Sequence, residues 1–567
     1  GTLIEWYDFY IFGSLATIIS THFFPRENPT ASFLATLATF AAGLVVRPFG
    51  SLFFGRLGDM IGRKYTFMIT MVIMGGSTFA IGLIPSYDTI GFWAPVIILI
   101  LRLLQGLAIG GEYGGAATFV AEHAPVNRRG FWTSWIQTTV IFAFITSIVV
   151  IIATKMVMDK SSWESWGWRI PFLASILLLF ISVWIRRNMR ESPLFLKAKT
   201  EGRISVNPIK ESFGNKTNMK VVLLALFGLT MGVAAGGWAT VLYAQTFLIK
   251  TMQLDFDQAN RIVMIGIFLA SLFTIFFGWL SDRIGRKPLL MFSLLLAVLL
   301  IRPIYGEMYR TIDLNSKVED FGKTIQSKRE SVSISNSDSL FTFTTLRYYT
   351  DGTIREGIQK DVIRNQKKEK TEITSATIVN HSDFKKLVVL VFLLSLINSV
   401  AYGPLAAFLV EMFPLKIRYT SLSLPYHIGY GIFGGMSQVI STYLISRAFD
   451  THRTDFYLAG LSYPIVIMSI SLVIGVLYIK ENRRSFFNPS IEFFNLNKLR
   501  RWLGILWIFL GLAAAYFGIF QLGIPKITSG KQEDLIFGII VMLIITPIAS
   551  VGLIIFGKYA LEGEYTS

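Results

Sequence analysis

The chain has 567 residues, 53% of them hydrophobic and only 16% charged, a balance outside the range of ordinary water-soluble domains. Its formal charge of +17 would suit nucleic acid in a soluble protein, but the cations fall between long apolar runs, where they read as topology signals, so no nucleic-acid role is expected. The absence of cysteine excludes disulfides, thiolate metal sites and cysteine nucleophiles.

A helix needs about 20 mostly apolar residues to cross the hydrocarbon core. By that measure the first half offers six spans, at 3–24, 33–54, 65–84, 95–120, 131–154 and 170–185. Six more follow at 221–248, 262–279, 288–305, 387–410, 420–445 and 457–479, and a last pair at 502–522 and 535–557 lies beyond a basic joint. The chain begins without Met, inside an apolar run and with no cleavable signal pattern, as a trimmed leader would leave it. The connection 186–220 carries nine Lys or Arg against three Glu. With Arg63, Lys64, Arg128, Arg129, Arg286, Lys287, Arg483 and Arg484 it marks one set of loops as cytoplasmic. A multi-pass protein of the bacterial plasma membrane with both termini inside follows.

The insert 306–386 then falls outside the cell; its 14 Lys or Arg and 12 Asp or Glu are no obstacle, since long loops translocate largely regardless of charge. Its FTFTTLRYYTDGTIREG alternates around Asp351-Gly352, which predicts a β-hairpin and a small folded cap. The polar flanks SKRESVSISNSDS and NQKKEKTE leave a disordered loop as the alternative.

GRLGDMIGRK at 55–64 returns as GWLSDRIGRK at 278–287. Each copy joins the second and third spans of its half, the mark of two six-helix bundles with internal pseudo-symmetry. Gly55, Gly62, Gly278 and Gly285 allow sharp turns and close helix approach. Asp59 and Asp282 can accept bonds from a helix N-terminus, and Arg63 and Arg286 can bridge to a neighbouring helix end or carboxylate. Made in one arrangement and broken in another, such contacts form a conformational latch.

These decapeptides resemble the signature loop of the major facilitator superfamily. IEWYDFYIFG, RPFGSLFFGRLGD, IPSYDTIGFWAP, LRLLQGLAIGGEYGGAATFVAEHAP, WGWRIPF, EMFPLKIRYTSL and IFGGMSQ look like its metabolite:proton symporter branch, which carries α-ketoglutarate, proline and betaine, shikimate and citrate. The resemblance covers residues 1 to about 485 apart from the insert. It implies an all-α integral membrane protein with the major facilitator fold: bundles at 1–185 and at 221–305 with 387–485, joined by a linker at 186–220. The insert 306–386 and the segment 486–567, with its two extra transmembrane helices, depart from the family pattern. Residues 502–557 are the expected surface for an oligomer or membrane-protein contact.

Ionisable groups among apolar helices are costly and so are functional candidates. At 100° per residue Arg102, Gln105, Ile109 and Glu112 share one face of the fourth span, with glycines on the others. Glu5 and Asp8 share a side of the first, Arg47 sits in the second, and His427, Tyr430 and Gln438 share a face of the eleventh. Converging, these faces enclose a substrate cavity with Arg47, Arg102, Gln105, Tyr10, Tyr113, Gln137, His427 and Tyr430 as candidate ligands. A carboxylate beside a fixed arginine suits reversible protonation. The family's fourth-helix arginine, matched here by Arg102, is associated with proton coupling; Asp8 is the expected proton carrier with Arg102 its partner, and Glu112 the alternative carrier.

Two arginines favour a di- or tricarboxylate of the α-ketoglutarate type. The aromatic residues of the same segments suit a zwitterion such as proline or betaine instead. Neither a nucleotide-phosphate loop nor a nucleophile-base pair is visible, so the expectation is a transporter without cofactor or metal, the proton its coupling ion, and not an enzyme. A non-transporting sensor on the same scaffold is the rival.

Overall fold

The computed structural model describes residues 2–24, 36, 39, 42–188, 190–333, 338–364, 367–481, 496–528, 538, 541–542 and 546–565. Among them, ten helices are long and apolar enough to cross a membrane. The other expected spans are interrupted or run into residues outside that description. The first breaks at Leu15, between Thr2–Ser14 and Ala16–Phe23. The second is described as a helix from Arg47 to Met60, and the last as Thr546–Leu561. The eleventh runs Arg418–Ile428, a π turn at Gly429–Gly434, and Gly435–Asp450. Arg483 and Arg484 of the basic joint, and the side chain of Gln438, lie outside the described residues.

The repeated decapeptides are mostly helix, not loop. Gly55 to Met60 complete the second span, and Gly278 to Ile284 complete the eighth, Phe256–Ile284. Only the turn itself is non-helical, at Gly62 (φ +119°) and Gly285 (φ +99°), angles that side chains rarely adopt. The next helices, Arg63–Leu83 and Arg286–Thr311, start at once.

The expected hairpin is present within a larger unit. β1 (Ile325–Ser333), β2 (Asp338–Tyr348), β3 (Ile354–Arg364) and β4 (Lys367–Ile378) form an antiparallel meander in chain order. β2 and β3 pair from Asp338↔Arg364 to Tyr348↔Ile354, with Gly352 at φ +87° in the connection. The sheet is tied to the chain between the seventh and eighth spans. Asp255 N donates to Thr377 O at 2.8 Å, Thr377 N to Gln253 O at 2.7 Å, and Gln258 exchanges two bonds with Val379.

The C-terminal helices Leu496–Tyr516 and Thr546–Leu561 pack against each other along glycines. A Cβ on Gly504 would lie 2.7 Å from Gly557 O, and one on Gly557 2.6 Å from Gly504 O, so only glycine permits this approach. The pair sits on the second bundle. Phe227, Phe433, Tyr478, Trp507, Leu553 and Phe556 share a buried cluster, Trp507 Nε1 donates to Tyr478 Oη at 3.1 Å, and Lys216 pairs with Glu562 and Glu564 at 2.9 Å each. Gly557→Leu is expected to destabilise this contact by about 1–3 kcal/mol, the usual cost of overpacking. The thermal midpoint of the detergent-solubilised protein should fall, while Gly76→Ala, where an added Cβ meets nothing within 4 Å, should leave it unchanged.

Candidate functional site

Each repeated motif reaches across to the other bundle. Asp59 ends the second span and accepts from Thr420 N (2.9 Å), Thr420 Oγ1 (2.8 Å) and Tyr419 N (3.4 Å), in the first turn of the eleventh. Asp282 ends the eighth and accepts from Gly130 N (2.9 Å) and Phe131 N (2.8 Å), in the first turn of the fifth, Arg129–Val157. Both carboxylates therefore meet unpaired N–H groups at the positive end of a helix dipole. The glycines clear the way: a Cβ on Gly58 would lie 2.2 Å from the Tyr419 ring, and one on Gly278 2.6 Å from Gly130 O.

The arginines complete the symmetry. Arg63 lies 3.3 Å from Asp59 and 3.5 Å from Glu122, and Arg286 lies 3.2 Å from Asp282 and 2.6 Å from Glu411. Each glutamate is shared with an arginine of the opposite bundle, Arg418 on Glu122 at 3.2 Å and Arg129 on Glu411 at 3.5 Å. The turns are capped in parallel, since Glu191 accepts from Lys64 N at 3.1 Å and Glu481 from Lys287 N at 2.7 Å. Glu122, Arg129, Glu411 and Arg418 were not among the candidates read from the sequence. A second internal repeat carries them: EHAPVNRR at 122–129 and EMFPLKIR at 411–418 share Glu, Pro and Arg in register.

Further into the bilayer, a small central cavity is lined by residues of the first, second, fourth and eleventh spans. They include Glu5, Arg47, Glu112, Tyr113, Tyr426 and His427. Tight packing of the second span on the fourth brings Arg47 there: a Cβ on Gly106 would lie 2.1 Å from Gly43 O and one on Gly110 2.2 Å from Arg47 O. The Arg47 guanidinium lies over Trp6 (5.3 Å) and Phe9 (4.6 Å), and its Nε and Nη2 have no hydrogen-bond partner among the described residues. Tyr113 and Tyr426 stack at 3.4 Å across the two bundles, with Tyr430 4.3 Å from Tyr426, Trp6 forming another aromatic wall, and Gln137 beside the tyrosine pair. His427 is buried with neither ring nitrogen bonded among the described residues.

Arg102, Gln105 and Tyr10 stand differently from expectation. Arg102 is outside the cavity wall; its Nη1 donates to Gln105 Oε1 at 2.7 Å, and Gln105 Nε2 donates to Thr78 Oγ1 at 2.7 Å. The guanidinium rests on Phe9 (4.8 Å) and Phe12 (4.4 Å), and it forms no ion pair with Asp8, whose carboxyl is buried without a hydrogen-bond partner among the described residues. The geometric reason is that Gln105, three residues on, takes the guanidinium on its own helix face. Tyr10 packs on Trp6 (5.5 Å) and Phe144 (5.1 Å) behind the wall. Glu112 does have a cation, but it is Arg186 at 2.9 Å, from the end of the sixth span, with Thr70 Oγ1 donating at 3.1 Å. Arg186 was missed because it reads as one more basic residue of the 186–220 linker.

A family model for sugar and other transporters matches residues 1–206, and one for a family of unknown function matches 496–567. The chain is 37% identical over 314 residues to a proline/betaine transporter of Escherichia coli K12, spanning 53% of this chain and 62% of that protein. It is 33% identical over 308 residues to the α-ketoglutarate permease of the same organism, covering 54% of this chain and 70% of the permease. The chain belongs to the major facilitator superfamily, in its metabolite:proton symporter branch. The fold agrees: a structure of the proton:xylose symporter XylE matches with TM-score 0.53 at 16% identity, covering 85% of this major facilitator chain and 94% of XylE. The chain spans about 62% of the length of the proline/betaine relative.

With no native cysteine, Ser281→Cys, buried at the interface where a Cβ on Gly130 would touch it, makes a clean reporter. Combining it with Asp59→Asn and Asp282→Asn should raise its labelling by a membrane-impermeant maleimide in inside-out membrane vesicles about fivefold or more, because the open arrangement gains population. An unchanged rate would show that the carboxylates do not hold the two halves together.

Proposed function

We propose that the chain is a proton-coupled symporter of the bacterial plasma membrane that carries a small zwitterion, with a carboxylate at one end and a substituted ammonium at the other. The observation behind this reading is the cavity wall. Among the described residues it offers one arginine, Arg47, beside the rings of Trp6, Tyr113, Tyr426 and Tyr430 and the carboxyls of Glu5 and Glu112. A guanidinium receives one carboxylate through a two-point fork. Aromatic faces hold an alkylated ammonium that has few protons to donate.

A di- or tricarboxylate needs a second cation in the wall. Arg102, the expected second cation, is engaged with Gln105 outside the wall. The organic-acid expectation therefore gives way to the zwitterion, a preference also supported by likeness to the proline/betaine transporter. Likeness to the α-ketoglutarate permease supports the common denominator, a small carboxylated metabolite.

In this account the mirrored Asp–helix contacts close one end of the molecule while the cavity faces the other. Substrate binding between the bundles supplies the free energy that lets them part. Uptake into proteoliposomes tests it, using labelled glycine betaine, proline and α-ketoglutarate under an imposed proton gradient. The zwitterions should accumulate and a protonophore should abolish accumulation. Arg47→Ala should weaken apparent affinity about tenfold or more, the scale of a lost charge-assisted hydrogen bond. Accumulation of α-ketoglutarate alone would restore the organic-acid reading, and binding without accumulation would mark a sensor.

A further inference from the structure

Arg186 stands between two carboxyls. Its Nη2 is 2.9 Å from Glu112 Oε1 and 3.6 Å from Glu5 Oε1, and all three side chains are buried. The guanidinium is fixed, because Nη1 donates to Phe67 O at 2.7 Å and the Phe67 ring lies 4.6 Å from its centre. Glu112 has a bond on each oxygen, from Arg186 and from the Thr70 hydroxyl at 3.1 Å. Glu5 has none on either oxygen among the described residues. Two carboxyls around one guanidinium, away from bulk water, cannot both ionise cheaply. Of two such carboxyls, the one with fewer donors holds a proton at the lower cost.

We propose that Glu5 carries the coupled proton, and that Arg186 is the positioning residue that keeps Glu112 ionised and leaves Glu5 the protonatable member. The proposal rests on the symport reading and names its proton site. Glu5, Glu112 and Arg47 all face the same cavity, which supplies the link to substrate. When a substrate carboxylate engages Arg47, that cation no longer offsets a second negative charge in the wall, and Glu5 keeps its proton. When the substrate departs, the charge of Arg47 again favours the Glu5 carboxylate, and the proton passes to water on the open side. Proton and substrate thus load together through charge balance. Among the described residues, the other titratable groups around Glu5 are Tyr113 of the fourth span, Tyr419, Tyr426, His427 and Tyr430 of the eleventh, and Asp8 one turn along its own helix, outside the cavity wall.

The test uses the full chain in proteoliposomes with labelled glycine betaine, together with an infrared pH titration of the protein without substrate. Glu5→Gln should lose gradient-driven accumulation, and the counterflow exchange that it retains should no longer vary with pH. The protonated-carboxyl C=O band that titrates in the unsubstituted protein should disappear in Glu5→Gln. Arg186→Gln should shift that titration, and Arg186→Lys should restore it, which a purely structural arginine would not do. Accumulation by Glu5→Gln at the unsubstituted level, or a titrating band that survives in it and vanishes in Asp8→Asn, overturns the proposal. If the unsubstituted protein neither exchanges nor accumulates betaine, the symport reading fails, while the band still decides whether Glu5 is the protonated group. If Glu5→Gln does not fold, Glu5→Asp must move the band; an unmoved band rejects the assignment.

Discussion

A carboxylate from each bundle caps the first turn of a helix in the other, and this reciprocal contact fixes how the halves stand to one another. Asp59 reaches Thr420, and Asp282 reaches Gly130 and Phe131. Hydrogen bonds to a charged group contribute about 1.5–3 kcal/mol each, but they fall off steeply with distance and angle. Two such caps are therefore strong when engaged and give little resistance once parted. The surrounding ion pairs, Arg63 and Arg418 on Glu122 and Arg286 and Arg129 on Glu411, add charge that would be expensive to leave unpaired in either arrangement.

The same helices carry the latch and the cavity, which makes the two mechanically inseparable. The second span holds Arg47 at the cavity and Asp59 near its end, twelve residues away, or about 18 Å along a helix. The fourth holds Glu112 and Tyr113 in the cavity wall and Glu122 in the latch. The eleventh begins with Tyr419 and Thr420 at Asp59 and continues to Tyr426 and His427 at the cavity. A stiff rod with a charge at one end and a ligand at the other passes tilt from site to site without any intervening relay. Both departures from the family pattern, the β cap and the C-terminal helix pair, make their described attachments to the second bundle.

Much of this was legible in the sequence because membrane physics is strict. Apolar length located the spans, and the repeated decapeptide identified the latch, since Gly55, Asp59 and Arg63 have no cheaper reason to recur at 278–287. The tilt of each element was harder to read. The decapeptide looked like a loop because charge usually ends a span; the structure keeps it helical by burying Asp59, Arg63 and Arg286 against partners up to 361 residues away. Pairing was least legible. Arg102 and Asp8 fall on faces that suggest contact, yet Gln105 is nearer in the helix and takes the arginine, whereas Glu112 and Arg186, 74 residues apart, meet only through tertiary packing. Helical periodicity assigns a face; it does not say which of several buried ions on converging faces will pair.

Backbone hydrogen exchange on the lipid-reconstituted protein reports whether the two halves move together, because the amides of Thr420 and Phe131 donate to the two latch carboxylates themselves. If the bundles rock as two rigid bodies, Asp59→Asn speeds exchange both in the peptide containing Thr420 and in the distant peptide containing Phe131. Acceleration confined to the Thr420 peptide would contradict a concerted latch and leave each carboxylate an independent local cap.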